Sequence, residues 1–482
     1  MKKNRAQIKN DPGSFKDPAG GVFFYKRKVY RSVVGNSAKF YQNFVSSDFF
    51  HELVSKKFFI SSRPVELSHD SIIIEKYGSQ RNYFEHDFIE FLTYPFEWSA
   101  SMLIDAGIHT LDLQARLLRK NLSLKDATPY NIQYNFSRPI FIDLCSVENS
   151  STNGVWVAFN QFCQTFFYPL LMYEFGVCSL NSIFLSHMEG LTLDETFGSL
   201  KFRPCWKHGL IIDYLLPSLF LKLKHHKILN IGKKPVSTSR TVSNSAQIKM
   251  HTVNRLRKGL TKISPRKVTS EWIDYTRSCS YNDEEYRIKQ EFIESFLHKF
   301  RPSKVLDLGC NVGDFSIMAA KHGCKVVALD SDHDCINYLY NTSKEANYTI
   351  LPLCIDIANP SPSIGWLNEE RPSFLERISG KFDCVFALAL IHHLIIKNRI
   401  PLLEILRFLH NSTSSFIVIE YVGRADKKFK ELLFNRTENY NDFDISQFEE
   451  TASTYFSIQR KVEIINQEKN LERCIYLMKK LS

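Results

Sequence analysis

The stretch VLDLGCNVGDFS, residues Val305 to Ser316, decides how the second half of this chain folds. An apolar run leads into a turn punctuated by Gly309 and Gly313, and a helix is expected from Asp314. Glycines in such a turn let a ligand lie against bare backbone and against the positive end of a helix. Downstream, KVVALD makes a second strand that ends in the carboxylate of Asp330. A glycine turn after one strand and an acid at the tip of the next form a nucleoside clamp, the acid accepting hydrogen bonds from both ribose hydroxyls.

Working outward, strands and helices alternate. TILPLCID reads as a third strand ending at Asp356, and FDCVFALAL as a fourth, followed by His392 and His393. SFIVIEYV is a fifth and carries Glu420 near its tip. Helices are expected over 314–322, 334–346, 401–410 and 427–435, and a closing antiparallel hairpin over 456–465 and 474–478. Uninterrupted apolar runs in the first five strands imply a parallel sheet covered on both faces. The expected class is α/β, with a Rossmann-like, seven-stranded, mostly parallel sheet. Ligands of such sheets bind at the carboxyl ends of the strands, so Asp307, Asp330, Asp356 and His392 should converge.

The dinucleotide fingerprint G-x-G-x-x-G is incomplete, because Ser316 follows Phe315 where a third glycine belongs. Asp307-x-Gly309-x-Asn311-x-Gly313 instead resembles motif I of the class I S-adenosylmethionine (SAM) methyltransferases. That resemblance implies SAM as cofactor, held by Asp307, Gly309, Asn311, Gly313 and Asp330, with Asp307 suited to the ammonium of its amino-acid tail. Asp356 is expected beside the adenine, the alternative being a helix or turn cap. Methyl transfer from a sulfonium is an in-line displacement that needs alignment, and a base if the acceptor is a hydroxyl or a protonated amine. His392 and His393 are the first candidates for that base and Glu420 the second. Trp272, Tyr275 and Tyr281 are candidate covers over the cofactor. The insert ANPSPSIGWLNEERPSFLERISG, between the third and fourth strands, reads as a substrate-side lid. The fourth strand is followed by neither an N/D-P-P-aromatic turn nor a Pro-Cys nucleophile, which points away from nucleic-acid bases as acceptors.

Composition bounds the rest. The 482 residues carry a net charge of +11 and 44% hydrophobic residues. The length suggests several domains, expected at 1–215, 216–270 and 271–482. No uninterrupted run of 18 apolar residues occurs, so no membrane span is expected. The polar amino terminus and eleven cysteines without a C-x-x-C pair fit reduced thiols in a cytoplasm, with no zinc scaffold and no metal site expected. From Tyr214 to Ser270 there is no acidic residue, while 13 Lys or Arg fall between Lys222 and Lys267. Residues 222–267 read as a solvated basic connector, with nucleic-acid contact as the alternative.

The first half is read from LSLKDATPYNIQYNFSRPIFIDLCS. Asp126 and Asn131 lie five apart, and Asp143 follows twelve later. The spacing resembles the catalytic loop and metal-binding Asp of protein-kinase-like and aminoglycoside-phosphotransferase folds. There the first Asp positions an acceptor hydroxyl, while the Asn and second Asp hold magnesium on a nucleotide. A long amphipathic helix over 98–119, with Ile104, Ile108, Leu111, Ala115 and Leu118 inward, precedes it as such folds require. The pattern departs at Leu124-Lys125 and at Asp143-Leu144-Cys145, and only Lys76 offers itself as the strand lysine. An α+β kinase-like domain, degenerate and used for recognition, is therefore expected, with a bifunctional kinase-methyltransferase as the alternative.

Taken together, YPFEWS, LKDATPYNIQ, FIDLCSVE, DLGCNVG, DIANPSPSIGW, LALIHHL and IEYV resemble the NoeA-like, host-specific nodulation protein methyltransferases across nearly the whole chain. The resemblance implies SAM-dependent methyl transfer, and its nodulation association points to a glycan or another small-molecule acceptor. The chain departs from those relatives at Tyr421-Val422-Gly423-Arg424.

Overall fold

The structure is a computed structural model. It describes residues 8–481 except 36, 69–70, 152–153, 209–213, 215, 217–241, 265–282, 435–442 and 466–470. The chain divides into two compact units. One comprises Met1–Arg266 with Ser363–Arg371, the other Lys267–Pro362 with Pro372–Ser482.

The second unit is built on seven strands: β10 (Lys304–Leu308), β11 (Lys325–Asp330), β12 (Ile350–Cys354), β13 (Phe382–Ala387), β14 (Thr413–Val422), β15 (Phe456–Ile465) and β16 (Leu471–Lys480). Their order is β12-β11-β10-β13-β14-β16-β15. The first five are parallel and the β14–β16 and β16–β15 pairs antiparallel. Continuous apolar runs explain this arrangement, since both faces are covered: Val305, Val326, Ile350, Cys384 and Val418 all lie in one core with Phe292 and Phe296. From β10 the chain winds outward through β11 to β12, then crosses back to β13. The order of winding therefore reverses between β10 and β13, the place where sheets of this kind bind ligands at the strands' carboxyl ends. The Rossmann-like class I sheet expected from sequence is the one observed.

The first unit carries a five-stranded antiparallel sheet of β1 (Lys9–Asn10), β2 (Gly20–Tyr25), β3 (Lys28–Val33), β4 (Ser62–Val65) and β5 (Asn82–His86), in the order β1-β2-β3-β5-β4. The Ala100–Leu118 helix follows, capped by Ser99, which accepts from the Met102 amide. Of the residues expected inward, Leu111 and Leu118 are buried and Ile104, Ile108 and Ala115 are only part-buried, while Leu103, Ala106, Thr110, Leu113, Gln114 and Leu117 are buried as well. The buried surface is broader than the expected stripe because a second helix covers another side. That helix is Val242–Leu260, and it lies within the stretch expected to be a solvated connector. Val253, Leu256 and Leu260 are buried, and Arg257 pairs with Asp112 at 2.7 Å. Lys249 Nζ donates to Ser151 O at 2.6 Å. This part of the basic segment is thus a packed element, and two of its cations are engaged within the unit. Its remainder lies largely outside the described residues, as do Trp272, Tyr275 and Tyr281.

Beyond the Ala100–Leu118 helix come two short ladders. One pairs β6 (Leu122–Leu124) with β9 (Val147–Asn149), the other β7 (Ile132–Asn135) with β8 (Arg138–Phe141). The segment Ser363–Arg371, the middle part of the insert 358–380 expected as a substrate-side lid, folds with this first unit. Glu370 pairs with Lys16 at 2.9 Å, and the Arg371 guanidinium lies 4.8 Å from the centre of the Tyr130 ring. Among the described residues no helix is long and apolar enough to cross a membrane.

Candidate active site

The site grows from the turn after β10. Gly309 and Gly313 have φ of +69° and +89°, which a side chain resists. At Gly313 a Cβ would lie 2.3 Å from Leu339 Cδ1, so packing as well as torsion demands glycine. Asn311 between them is also left-handed, at φ +51°, a conformation Asn tolerates better than most residues. Its side-chain oxygen accepts from the Val312 amide at 2.6 Å. The Cys310 amide donates to Leu329 O at 2.8 Å, tying the turn to β11.

Asp330 closes this turn from the neighbouring strand. Its Oδ2 accepts from the Asn311 amide at 2.9 Å and its Oδ1 from the Asp332 amide at 2.9 Å. Each carboxylate oxygen can still accept another hydrogen bond, as a ribose diol requires. Burial raises the Asp330 pKa, and the backbone N–H groups oppose the rise. Asp307 lies within β10, 3% exposed, and accepts from the Ser316 hydroxyl at 2.6 Å. Burial pushes its carboxyl up to about 6. A glycine cradle flanked by the buried carboxyl of Asp307 and the part-buried carboxylate of Asp330 fits a cationic nucleoside such as SAM.

Asp356 lies two residues past the end of β12, shorter than the strand read from sequence. It is exposed, and its Oδ1 accepts from the Ala358 amide at 2.9 Å in a local turn. The register Asp330↔Cys354 puts it at the same sheet edge as Asp330, although its described hydrogen bond is to its own turn. The structure thus brings Asp307, Gly309, Asn311, Gly313 and Asp330 together and leaves Asp356 at the margin.

His392 and His393 fall in a short helix, Ile391–Ile396, not in a loop. Leu390, just ahead of them, packs on the cradle, and a Cβ at Gly309 would come within 3.2 Å of its Cδ1. His392 is fully buried, and neither ring nitrogen has a hydrogen-bond partner among the described residues. Burial, with His393 and Arg473 adding, holds its pKa well below the usual value, so the ring is neutral. His393 packs against it, ring centres 4.3 Å apart, and is pushed down to about 4 by burial and by Lys397 and Lys428.

Glu420 is also fully buried, but both its oxygens are engaged. Oε2 accepts from Lys289 Nζ at 2.7 Å and Oε1 from Arg473 Nη1 at 3.0 Å. Arg473 reaches on to Asp426 at 2.9 Å, and Asp426 caps the Lys427–Leu433 helix through the Lys428 and Phe429 amides. Sequence reasoning missed Lys289, Asp426 and Arg473. Their partners lie up to 131 positions away, and no local pattern marks them.

In the first unit, Asn131 Nδ2 donates to Ser146 Oγ at 3.1 Å, and that hydroxyl donates to Asp143. Asp126 is half-buried, and its pKa is raised by burial and by the charge of Asp143. Lys76, the lysine singled out in sequence, lies on the Ile72–Tyr77 helix and bonds Ile8 O at 3.3 Å. The strand cation that meets Asp143 is Arg31, on β3, at 2.9 Å.

Residues 281–455 match a family model described as a methyltransferase domain. With the sheet order and the glycine cradle, this makes the second unit that of a class I SAM-dependent methyltransferase, with SAM as its methyl donor. The chain is similar to the nodulation protein NoeA of Rhizobium meliloti (strain 1021). The two are 29% identical over 470 residues, spanning 94% of this chain and 92% of the relative. Among solved structures, the PH0226 protein of Pyrococcus horikoshii OT3 aligns with 43% of this chain and 98% of its own, at TM-score 0.30 and 19% identity. The N-methyltransferase NodS of Bradyrhizobium japonicum WM9, solved with S-adenosyl-L-homocysteine, aligns with 42% and 91%, at TM-score 0.32 and 12% identity. WbdD aligns with 42% of both chains, at TM-score 0.30 and 16% identity.

Proposed function

We propose that this chain methylates a hydroxyl or amine on a glycan or another small metabolite, with His392 receiving the acceptor's proton. The observation that carries this reading is the buried, neutral imidazole of His392, whose nitrogens make no hydrogen bond within the described protein. An unpaired buried ring costs stability, a cost that a hydrogen bond from a bound acceptor would offset. SAM supplies an electrophilic methyl group on a sulfonium. Asp330 holds the ribose through its remaining lone pairs, and the Gly309–Gly313 turn lets the cofactor approach bare backbone. Asp307 faces the amino-acid tail. His392 orients the acceptor by accepting a hydrogen bond, and its low basicity delays proton transfer until the attacking atom has become acidic. The first unit is then a degenerate kinase-like domain that grips the acceptor. Its antiparallel sheet, its following long helix and the Asp126, Asn131 and Asp143 spacing support that role.

The direct test is transfer of labelled methyl from SAM into fractionated saccharides and metabolites. His392→Asn should lower kcat by about 10²–10⁴-fold, the range for loss of a general base. Its SAM affinity, read by calorimetry, should stay near wild type. Unaltered turnover in His392→Asn would remove the residue from this role.

Asp307 adds a pH signature. A cation favours the ionised carboxylate, and the free carboxyl titrates at about 6. SAM binding should therefore be about tenfold tighter at pH 7 than at pH 5. The unliganded unit behaves in the opposite sense. A carboxyl with a raised pKa contributes stability while protonated, and that contribution is lost as pH rises through about 6. Calorimetric titrations across this range should show the slope in wild type and its absence in Asp307→Asn. A flat wild-type profile would place the ammonium elsewhere.

A further inference from the structure

We infer that the Arg31 guanidinium is a built-in cation, standing among Asp17, Asp143 and Cys145 where a divalent metal ion would otherwise bind, so that this half of the protein works without a metal. The three residues have the spacing of a metal centre, with one ligand atom of each lying within 4.8 Å of the others. Arg31 bridges the two acids. Its Nη1 meets Asp17 Oδ2 at 3.1 Å and its Nη2 meets Asp143 Oδ1 at 2.9 Å. The planar fork of a guanidinium suits two carboxylates at once, which a lysine ammonium cannot match. Arg31 is 7% exposed, so this charge is shielded from water.

The remaining donors are already committed. Asp143 Oδ1 also accepts from the Cys145 amide at 3.2 Å, and Oδ2 takes the Ser146 hydroxyl. Asn131, which in a kinase-like arrangement would share the metal with Asp143, donates to Ser146 instead. Tyr41 fixes the Cys145 carbonyl with a 3.0 Å hydrogen bond. Two carboxylates and one guanidinium leave a single negative charge. A dication added beside Arg31 would meet strong repulsion at low dielectric. Magnesium, which a kinase-like arrangement implies here, therefore does not fit these residues. The inference rests on the ion pairs themselves and not on the kinase-like reading or on methyl transfer.

Manganese(II) titrated into the full chain and followed by electron paramagnetic resonance tests it. Wild type and Arg31→Lys should bind no Mn2+ that depends on Asp143. Arg31→Ala should gain Mn2+ binding at least about tenfold tighter than any residual, Asp143-independent binding of wild type, the least expected when a buried like charge is removed. That gain should vanish in Arg31→Ala combined with Asp143→Asn. If Arg31→Ala does not fold, Arg31→Met, which keeps the aliphatic bulk, takes its place. Wild-type binding that Asp143→Asn abolishes would overturn the inference, and so would a folded, uncharged Arg31 variant that gains no affinity.

Discussion

Glu420→Ala should unfold far more readily than wild type, with a loss on the order of 3–5 kcal/mol, the usual cost of removing one partner from a buried ion pair. Lys289, Glu420, Asp426 and Arg473 are at most 5% exposed in their side chains and form one chain of alternating charges. Removing the central carboxylate leaves Lys289 and Arg473 facing each other in low dielectric. The chain joins four elements: the Asp283–Phe300 helix, β14, β16 and the capped Lys427–Leu433 helix. Denaturant unfolding monitored in the full chain gives the loss directly. Glu420→Gln, which keeps the shape, separates the two roles open to this residue. If Glu420 acts through structure, turnover falls only as far as stability does. A Gln variant as stable as wild type but without turnover would make Glu420 the base, and an Ala variant within about 0.5 kcal/mol of wild type would deny the cluster its weight.

Asp330→Ala should weaken SAM binding by at least about tenfold, roughly the worth of one charge-assisted hydrogen bond. The effect has two sources. The variant loses the acceptors for the ribose, and it releases the Asn311 and Asp332 amides that Asp330 now holds at 2.9 Å. Asp330→Asn keeps one acceptor oxygen and should fall between the two. Calorimetry with SAM and with its demethylated product would show the loss for both, because both carry the ribose. Equal affinity in wild type and Asp330→Ala would mean that the sugar sits elsewhere.

The sheet of the second unit was legible because its strands are continuous apolar runs, and nothing but burial on both faces explains KVLDL beside KVVALD. The cradle was legible for a similar reason, since left-handed torsions leave glycine and asparagine as their trace. Other features depended on partners distant in sequence. Arg31 sits in KVYRSV, where a basic residue in a strand reads as solvent-facing, yet two distant acids bury it. The Val242–Leu260 helix carries a stripe at Val253, Leu256 and Leu260, but the acid-free charge around it obscured the period. IHHLII was read as the exit from a strand, although the strand stops at Ala387 and the histidines belong to a helical turn. At Asp356 the apolar reading overran the strand by two residues, because Ile355 bonds Asp330 O at 2.9 Å outside the regular ladder.

Ser363–Arg371 has a bearing on how this gene can change. The nine codons for that segment lie almost a hundred codons beyond the start of the second unit, yet their product folds with the first. A fragment ending at residue 266 would therefore leave Lys16 without Glu370 and Tyr130 without the guanidinium above its ring. Shuffling that swaps whole halves at a single breakpoint would break this dependence, so the two halves are expected to be inherited as one reading frame.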